Sequence, residues 1–309
     1  MIKETIFKGE KAILMESEKL RVVILPEIGG KLCSIYDKNK EFEFLFQNKE
    51  DSYKKAQLNS NFGEFDASGF DDCFPTIDES KVMVSGKEVI YPDHGEVWSS
   101  RLKYNILEDA ALLNMHSEIL PYNYSKKVSV QGKEVELHYE IENTGRDKFP
   151  IIWAMHCLVN CEEDMTINFP EDTKAIENVH ESKALGKIGE IYTYPIDTVI
   201  SGKKFDFRKI NSAKANNTEK YYVAHKTETG KCSMHYPSKD VTFEIVYDSE
   251  KLPYVGFWVT EGGFRGDYNC ALEPTNGYYD TIDMAVRREM CHYLKPGEKF
   301  NFDIKLIIK

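Results

Sequence analysis

The sequence predicts an all-β fold, a large antiparallel sandwich or pair of curved sheets, and three observations predict it. Apolar residues recur with period two over many segments. β-Branched and aromatic residues that suit pleated surfaces are abundant, with 18 tyrosines and 17 phenylalanines in 309 residues. Helical periodicity is nearly absent; residues 280–290 alone could form a short helical segment. No repeat, low-complexity tract or linker divides the chain, so residues 1–309 read as a single domain.

The elements follow in order. Residues 21–25 form a strand ended by Pro26, Gly29-Gly30 turns the chain, and residues 31–36 return as the second arm of a hairpin. Residues 59–72, polar and glycine-containing, read as a long loop. After the turn signal Tyr91-Pro92, Asp93 to Trp98 begins a strand that alternates from 97 to 107. Residues 112–120, 124–130 and 135–142 continue the alternation. Asn143-Thr144-Gly145 then turns the chain into the apolar strand 151–161. Residues 171–189 read as a second long loop, and loops of this length inside a β domain often form functional rims or lids. Residues 241–247, 254–259, 270–273 and 300–308 complete the set, with Pro296-Gly297 as the last turn.

A formal net charge of −11 argues against nucleic acid and anionic membrane as partners. Met1 to Thr5 lacks the apolar core of a signal peptide and the longest apolar run is too short to cross a bilayer, so a soluble, cytoplasmic protein is expected. It is expected to be a monomer or homodimer. Seven cysteines at irregular spacing read as free thiols packed as small hydrophobes. His156, Cys157 and Cys161 do not make a metal site on a strand, where His156 and Cys157 point to opposite faces.

Two ionisable residues stand out because a charged group in an apolar strand is costly unless paired or used. His156 lies within Trp153-Ala154-Met155-His156-Cys157-Leu158-Val159-Asn160, and Glu273 within Leu272-Glu273-Pro274. On a strand His156 and Asn160 share a face, roughly 13 Å apart, which suits the floor of a cleft. Glu273 shares its face with Ala271 and is expected at a strand end, because Pro274 cannot continue a central sheet. Together they suggest proton transfer. His94, Glu96 and Trp98 would share another face, with Trp98 as a plane for a sugar ring; Trp258 is a further platform. Asp71 and Asp72 could bind cations or hydroxyl groups.

These segments resemble the aldose 1-epimerase (galactose mutarotase-like) superfamily. The resemblance rests on His94-Gly95-Glu96-Val97-Trp98, on His156 with Asn160 four residues on, and on Leu272-Glu273-Pro274. Tyr254-Val255-Gly256-Phe257-Trp258 and the turn Leu294-Lys295-Pro296-Gly297-Glu298 also match, in the family's order and over most of the chain. It implies a β-supersandwich that interconverts the α and β anomers of a small-molecule sugar. Glu273 would be the general base, His156 the general acid, and His94 would orient the sugar near its ring oxygen or anomeric hydroxyl. His94, Asn160, Trp98, Asp72 and Trp258 would contact substrate. The reaction calls for neither metal nor organic cofactor. The chain departs from the galactose mutarotases in carrying Leu158 and Val159 where they have aromatics, and from the hexose-6-phosphate epimerases in lacking arginine after His94-Gly95. Two other functions fit the same residues. One is a non-catalytic carbohydrate-binding or sensor protein. The other is a glycoside-cleaving enzyme pairing Glu273 with Asp71 or Asp72.

Overall fold

The C-terminal strand Lys299–Ile308 shows why the chain forms layers. Phe300, Phe302, Ile304, Leu306 and Ile308 are buried, and the residues between them are not. Its neighbour Glu134–Asn143 alternates in the same way. A period-two pattern of this kind gives a sheet one dry and one wet face. The computed structural model describes residues 1–309, and in it these strands belong to an 8-stranded antiparallel sheet. Its order is Thr166–Asn168, Lys231–Tyr236, Val241–Tyr247, Lys299–Ile308, Glu134–Asn143, Tyr122–Gln131, Ala110–His116 and Lys103–Ile106.

Against it packs a 13-stranded antiparallel sheet. Its main path runs Ile2–Phe7, Glu10–Glu16, Leu20–Leu25, Lys31–Asp37, Phe70–Cys73, Ala154–Cys157, Tyr268–Thr275, Tyr254–Glu261, Asn217–Val223, Ala175–Asn178 and Ile191–Thr193. The middle strands of this path do not alternate. Phe70–Cys73 and Ala154–Cys157 are buried throughout, and Tyr268–Thr275 at all but its first residue. One face is covered by the second sheet. Long loops cover the other, and the functional cavity lies between those loops and the sheet.

One polar contact crosses the dry layer between the sheets. Asp72 Oδ2 accepts from Lys126 Nζ at 2.5 Å, and its Oδ1 accepts from the Tyr139 hydroxyl at 2.9 Å, with Asp72, Lys126 and Tyr139 all fully buried. Lys126 also donates to the Gly30 carbonyl. Asp72 is therefore an internal strut, not the sugar ligand expected from the sequence. The seven cysteines are unpaired, and all but Cys291 are buried.

The sequence reading needs correction at several elements. Strand 97–107 reduces to Lys103–Ile106, because Asp93 to Trp98 is a turn with His94 at φ 57° and Gly95 at φ 74°. Gly95 is required there: a Cβ would lie 2.0 Å from the Phe74 carbonyl oxygen. Glu96 faces inward, accepting a hydrogen bond from the Tyr122 hydroxyl, and does not share a face with His94. Strand 151–161 is three pieces, Phe149–Ile151, Ala154–Cys157 and Val159–Asn160. Residues 59–72 and 171–189 are not wholly loop, since they contain the start of Phe70–Cys73 and all of Ala175–Asn178. The 280–290 segment does contain a helix, Ile282–Arg287, capped by the Thr281 hydroxyl.

Pro274 lies inside its strand, paired with Val255. On the other flank Tyr268–Thr275 pairs with Ala154 through Thr275, and with Val159–Asn160 through Cys270 and Asn269. The middle of that flank carries no ladder bonds, so a proline is tolerated. Glu273 accordingly sits within a central strand, not at its end. No helix is long and apolar enough to cross a membrane.

Removing the strut tests its role. Asp72→Ala strands the Lys126 ammonium in the dry layer, and breaking a buried pair this way costs about 3–5 kcal/mol. Denaturant unfolding should show a loss of that size. A loss under about 1 kcal/mol, the value of a surface pair, would refute the role.

Candidate active site

Register places the functional side chains. Tyr222 pairs with Gly256 and Gly256 with Glu273, while Lys220 pairs with Trp258 and Trp258 with Ala271. The pairs Ala154–Thr275, Val159–Cys270 and Asn160–Asn269 share one register, and carrying it through sets His156 opposite Glu273 and Leu158 opposite Ala271. Two parallel rows result on the outer face of the large sheet: Tyr222, Gly256, Glu273, His156 and Lys220, Trp258, Ala271, Leu158. Side chains two apart on a strand share a face, so both rows look the same way.

Gly256 makes the first row possible. A Cβ there would lie 3.1 Å from Glu273 Oε2 and 3.2 Å from the Tyr222 ring. The glycine leaves a hole in the pleated surface, and the Glu273 carboxylate occupies it.

The rows form the floor of a cavity of about 390 Å³. His156, Glu273, Lys220, Trp258 and Asn269 contribute from strands, and Leu158 from the break between Ala154–Cys157 and Val159–Asn160. Phe62 and Ala67 form one wall, Val179, His180 and Ile188 another, and Asp78, His94 and Asp280 close the polar end.

His94 is held from behind. Its Nδ1 lies 2.7 Å from Asp93 Oδ1, and Asp93 Oδ2 accepts from the Phe62 N–H at 2.8 Å. The ring stacks on Phe62, with centroids 4.0 Å apart and planes within 6°. These contacts leave Nε2 as the nitrogen available to a ligand. Burial alone would raise the Asp93 carboxyl, but the His94 imidazole and the Phe62 N–H outweigh it and hold Asp93 below the usual carboxylate range. The His94 and His156 rings meet edge to face, 5.2 Å between centroids.

Glu273 and His156 are buried without the hydrogen bonds that burial normally demands. Glu273 is 2% exposed and neither carboxylate oxygen has a hydrogen-bond partner; His156 is 7% exposed and its Nδ1 has none. Buried polar groups are nearly always bonded, so two unbonded ones on one floor mark a place built for a guest. Burial pushes the Glu273 carboxyl up to about 7, against the pull of Lys220, whose Nζ is 3.9 Å away, with Asp280 adding to the rise. Burial, with the charges of His94, Lys220 and Lys31, pushes His156 well below its ordinary value. The imidazole is therefore neutral at neutral pH, a correction to the imidazolium that acid catalysis suggested.

Of the residues selected from sequence, His156, Glu273, His94 and Trp258 meet at the cavity. Trp98 does not line it. Its Nε1 donates to the Asp93 carbonyl and its ring packs against Phe62 and Phe65, behind His94. Asn160 is spent on structure, its amide donating to the carbonyls of Glu43 and Leu45. The amide that does line the cavity is Asn269, its partner across the ladder, whose buried Oδ1 is unbonded.

Asp71 faces the outer side but pairs with Lys31 at 2.7 Å, and burial raises its carboxyl to about 6. Asp71 and Asp72 are thus both committed to internal ion pairs, which removes the glycosidase pairing with Glu273. Sequence reasoning missed Lys220, Asn269, Asp78, Asp280, Phe62 and His180. Lys220 had a usable signal: like His156, it is an ionisable residue in a strand, here the aromatic-containing Asn217–Val223.

Fold and cavity together define a galactose mutarotase-like β-sandwich. Solved structures agree. A galactose mutarotase-like protein from Clostridium acetobutylicum superposes with a TM-score of 0.71 at 17% identity, over 100% of this chain and 98% of that one. Another from Lactobacillus casei ATCC 334 gives a TM-score of 0.71 at 16% identity, over 96% and 100%. The Slr1438 protein of Synechocystis sp. PCC 6803 gives 0.72 at 14% identity, over 100% and 96%. At these identities the likeness establishes the fold. The chain belongs to the family described as DUF5107, a domain of unknown function, whose model matches residues 4–284. No functionally curated protein matches it.

An unbonded carboxylate held at about 7 is a cost to folding. The sign follows from linkage. Glu273 binds its proton more tightly folded than unfolded, so the penalty is absent below its unfolded value near 4.3 and complete above about 7. Glu273→Gln should therefore raise the melting temperature relative to wild type more at pH 8 than at pH 4.5, by about 2–4 kcal/mol in stability. An equal effect at both pH values would show that the carboxylate is not strained.

Proposed function

We propose that this cavity interconverts the α and β anomers of a neutral aldose by acid/base ring opening and closure. The observation that carries the reading is Glu273, an unbonded buried carboxylate with its proton affinity near neutrality, on one floor row with His156 and beneath His94. A general base works best when its pKa lies near the working pH.

In this reading Glu273 takes the proton of the anomeric hydroxyl. Electrons return to form the aldehyde as the bond from C1 to the ring oxygen breaks. His156, a neutral imidazole, hydrogen-bonds the ring oxygen and gives up its N–H proton as that oxygen gains the electron pair. A neutral imidazole is a competent electrophile in a buried site. Rotation about C1–C2 presents the other aldehyde face, and the transfers reverse. Trp258 and Phe62 offer apolar planes to the ring, while Asn269 and Asp280 offer acceptors to its hydroxyls. The cavity's one lysine already serves Glu273 and Asp280, and Asp78 adds a carboxylate at the exposed rim. This charge balance favours neutral sugars over sugar phosphates.

Anomer exchange measured by NMR across a panel of aldoses tests the proposal. Wild type should accelerate at least one neutral aldose. Glu273→Gln should lower that rate by about 100-fold or more, the usual contribution of a general base. The rate should fall about tenfold per pH unit below 7, as Glu273 protonates. A protein that binds sugars saturably but accelerates none, or a Glu273→Gln variant as fast as wild type, would defeat the assignment.

A further inference from the structure

Lys220 has no place in the acid/base scheme, yet it is the cation nearest its base. It projects from Asn217–Val223 onto the cavity floor, largely buried, with Nζ 3.2 Å from Asp280 Oδ1 and 3.9 Å from Glu273 Oε2. The lysine is thus shared unequally, and the closer partner is not the proposed base.

Asp280 is itself fixed from two sides. The Tyr222 hydroxyl donates to its Oδ1 at 2.8 Å. The preceding residue, Tyr279, takes a left-handed backbone at φ 75°, and its hydroxyl donates to Glu177 Oε1 at 2.6 Å. Tyr278 donates to Glu177 Oε2 at 2.7 Å, and Arg288 brackets the same carboxylate with two N–H bonds of 3.1 and 2.9 Å. This Glu177–Arg288 clamp secures the turn that presents Asp280. A non-glycine residue in the left-handed region persists only when its surroundings hold it there.

The charged groups facing Glu273 are few: Lys220 beside it, Asp280 and Asp78 beyond the lysine, and the two imidazoles of His94 and His156. Cys73 and Tyr222 adjoin it as neutral groups, since burial pushes both well above their ordinary values. Among these, Lys220 alone carries a fixed positive charge.

We infer that Lys220 is a positioning residue whose ammonium sets how readily Glu273 holds a proton, and that Asp280, by drawing that ammonium away, keeps Glu273 basic. Without Lys220 the buried carboxyl would remain protonated at neutral pH. With Lys220 given wholly to it, the carboxylate would be too weak a base. The inference builds on the reading of Glu273 as the base, but its test needs no substrate.

The test is a carbon-13 NMR titration of protein labelled at the glutamate carboxyls, with the Glu273 resonance assigned by its loss in Glu273→Gln. Lys220→Met should move the Glu273 midpoint up by about one unit or more, and Asp280→Asn should move it down by a similar amount, as removing an opposite or a like charge requires. Shifts in opposite directions support the inference. If Lys220→Met does not fold, a downward shift in Asp280→Asn supports it alone. Midpoints unmoved in the variants that fold, or moved the same way in both, overturn it. If the midpoints move as stated while wild type shows no anomer exchange, the lysine device stands and the proposed reaction falls. If exchange is present, the acid limb of its pH profile should move with the midpoints.

Discussion

The proposed chemistry depends on one costly placement: a carboxylate, Glu273, buried in the middle of a sheet with no hydrogen bond to either oxygen. Desolvation penalises the charged form of such a group, and the lysine at 3.9 Å, with a smaller pull from His94, opposes that penalty. The fold supplies the means. Both faces of the central strands are covered, which keeps water scarce. Gly256 opens the pleat opposite Glu273, so that the side chain has somewhere to lie. The continuing register then sets His156 across from it. A glycine, a register and a covered face thus combine to set a buried carboxylate and an imidazole side by side on strands, the pair to which the proposed reaction assigns base and proton donor.

Several other buried acids are paired, whereas Glu219 is, like Glu273, buried with both oxygens unbonded and raised by burial to about 7, but it does not line the cavity. Asp72 is satisfied by Lys126 and Tyr139, Asp71 by Lys31, Glu96 by Tyr122, and Glu177 by two tyrosines and Arg288. Each is paired, as buried charge normally must be, and each holds elements together. Glu273 differs from them in lacking hydrogen bonds while keeping a partial ion pair. What sets Glu273 apart is therefore its place on the cavity floor beside Lys220 and His156, and not the missing hydrogen bonds alone.

Much of this was legible in the sequence, unevenly. The all-β class and the strands with one wet face, such as Lys299–Ile308 and Glu134–Asn143, followed from alternation, whereas the edge strands Ile2–Phe7, Thr166–Asn168 and Ile191–Thr193 were missed. Boundaries failed where both faces are covered, because alternation then vanishes: 151–161 read as one strand although it breaks twice. His156 and Glu273 were legible as ionisable residues in apolar runs, and His94 through its Gly95 neighbour. Asn160 misled, because period-two geometry puts it on the face of His156 but cannot reveal that the backbone of residues 43–45 claims its amide. Asp72 misled for a related reason: in sequence an acid awaiting a ligand looks the same as one awaiting a lysine 54 residues away. Lys220 and Asn269 were missed because their importance lies in cross-strand pairing, and Asp280 because it lies in a turn whose place beside Lys220 only the fold reveals.

The two sources of the cavity divide its tasks. The floor comes largely from strands, whose ladders fix side-chain positions closely, and it carries Glu273 and His156, the groups that the proposed reaction sets against the reacting atoms. The walls come from the segments around Phe62 and Ala67 and around Val179, His180 and Ile188, where loops can change without disturbing register. Leu158, on the floor, offers a sugar no hydrogen bond. In the proposed reaction, recognition of hydroxyl groups would then fall to Asn269, Asp280, Lys220, His94 and the rim residues Asp78 and His180. Of these, Lys220 and Asp280 are tied to Glu273 by charge, so a change that altered which sugar is held at that end would also alter the strength of the base. In the proposed reaction, choice of substrate and rate of proton transfer would therefore not be independent variables.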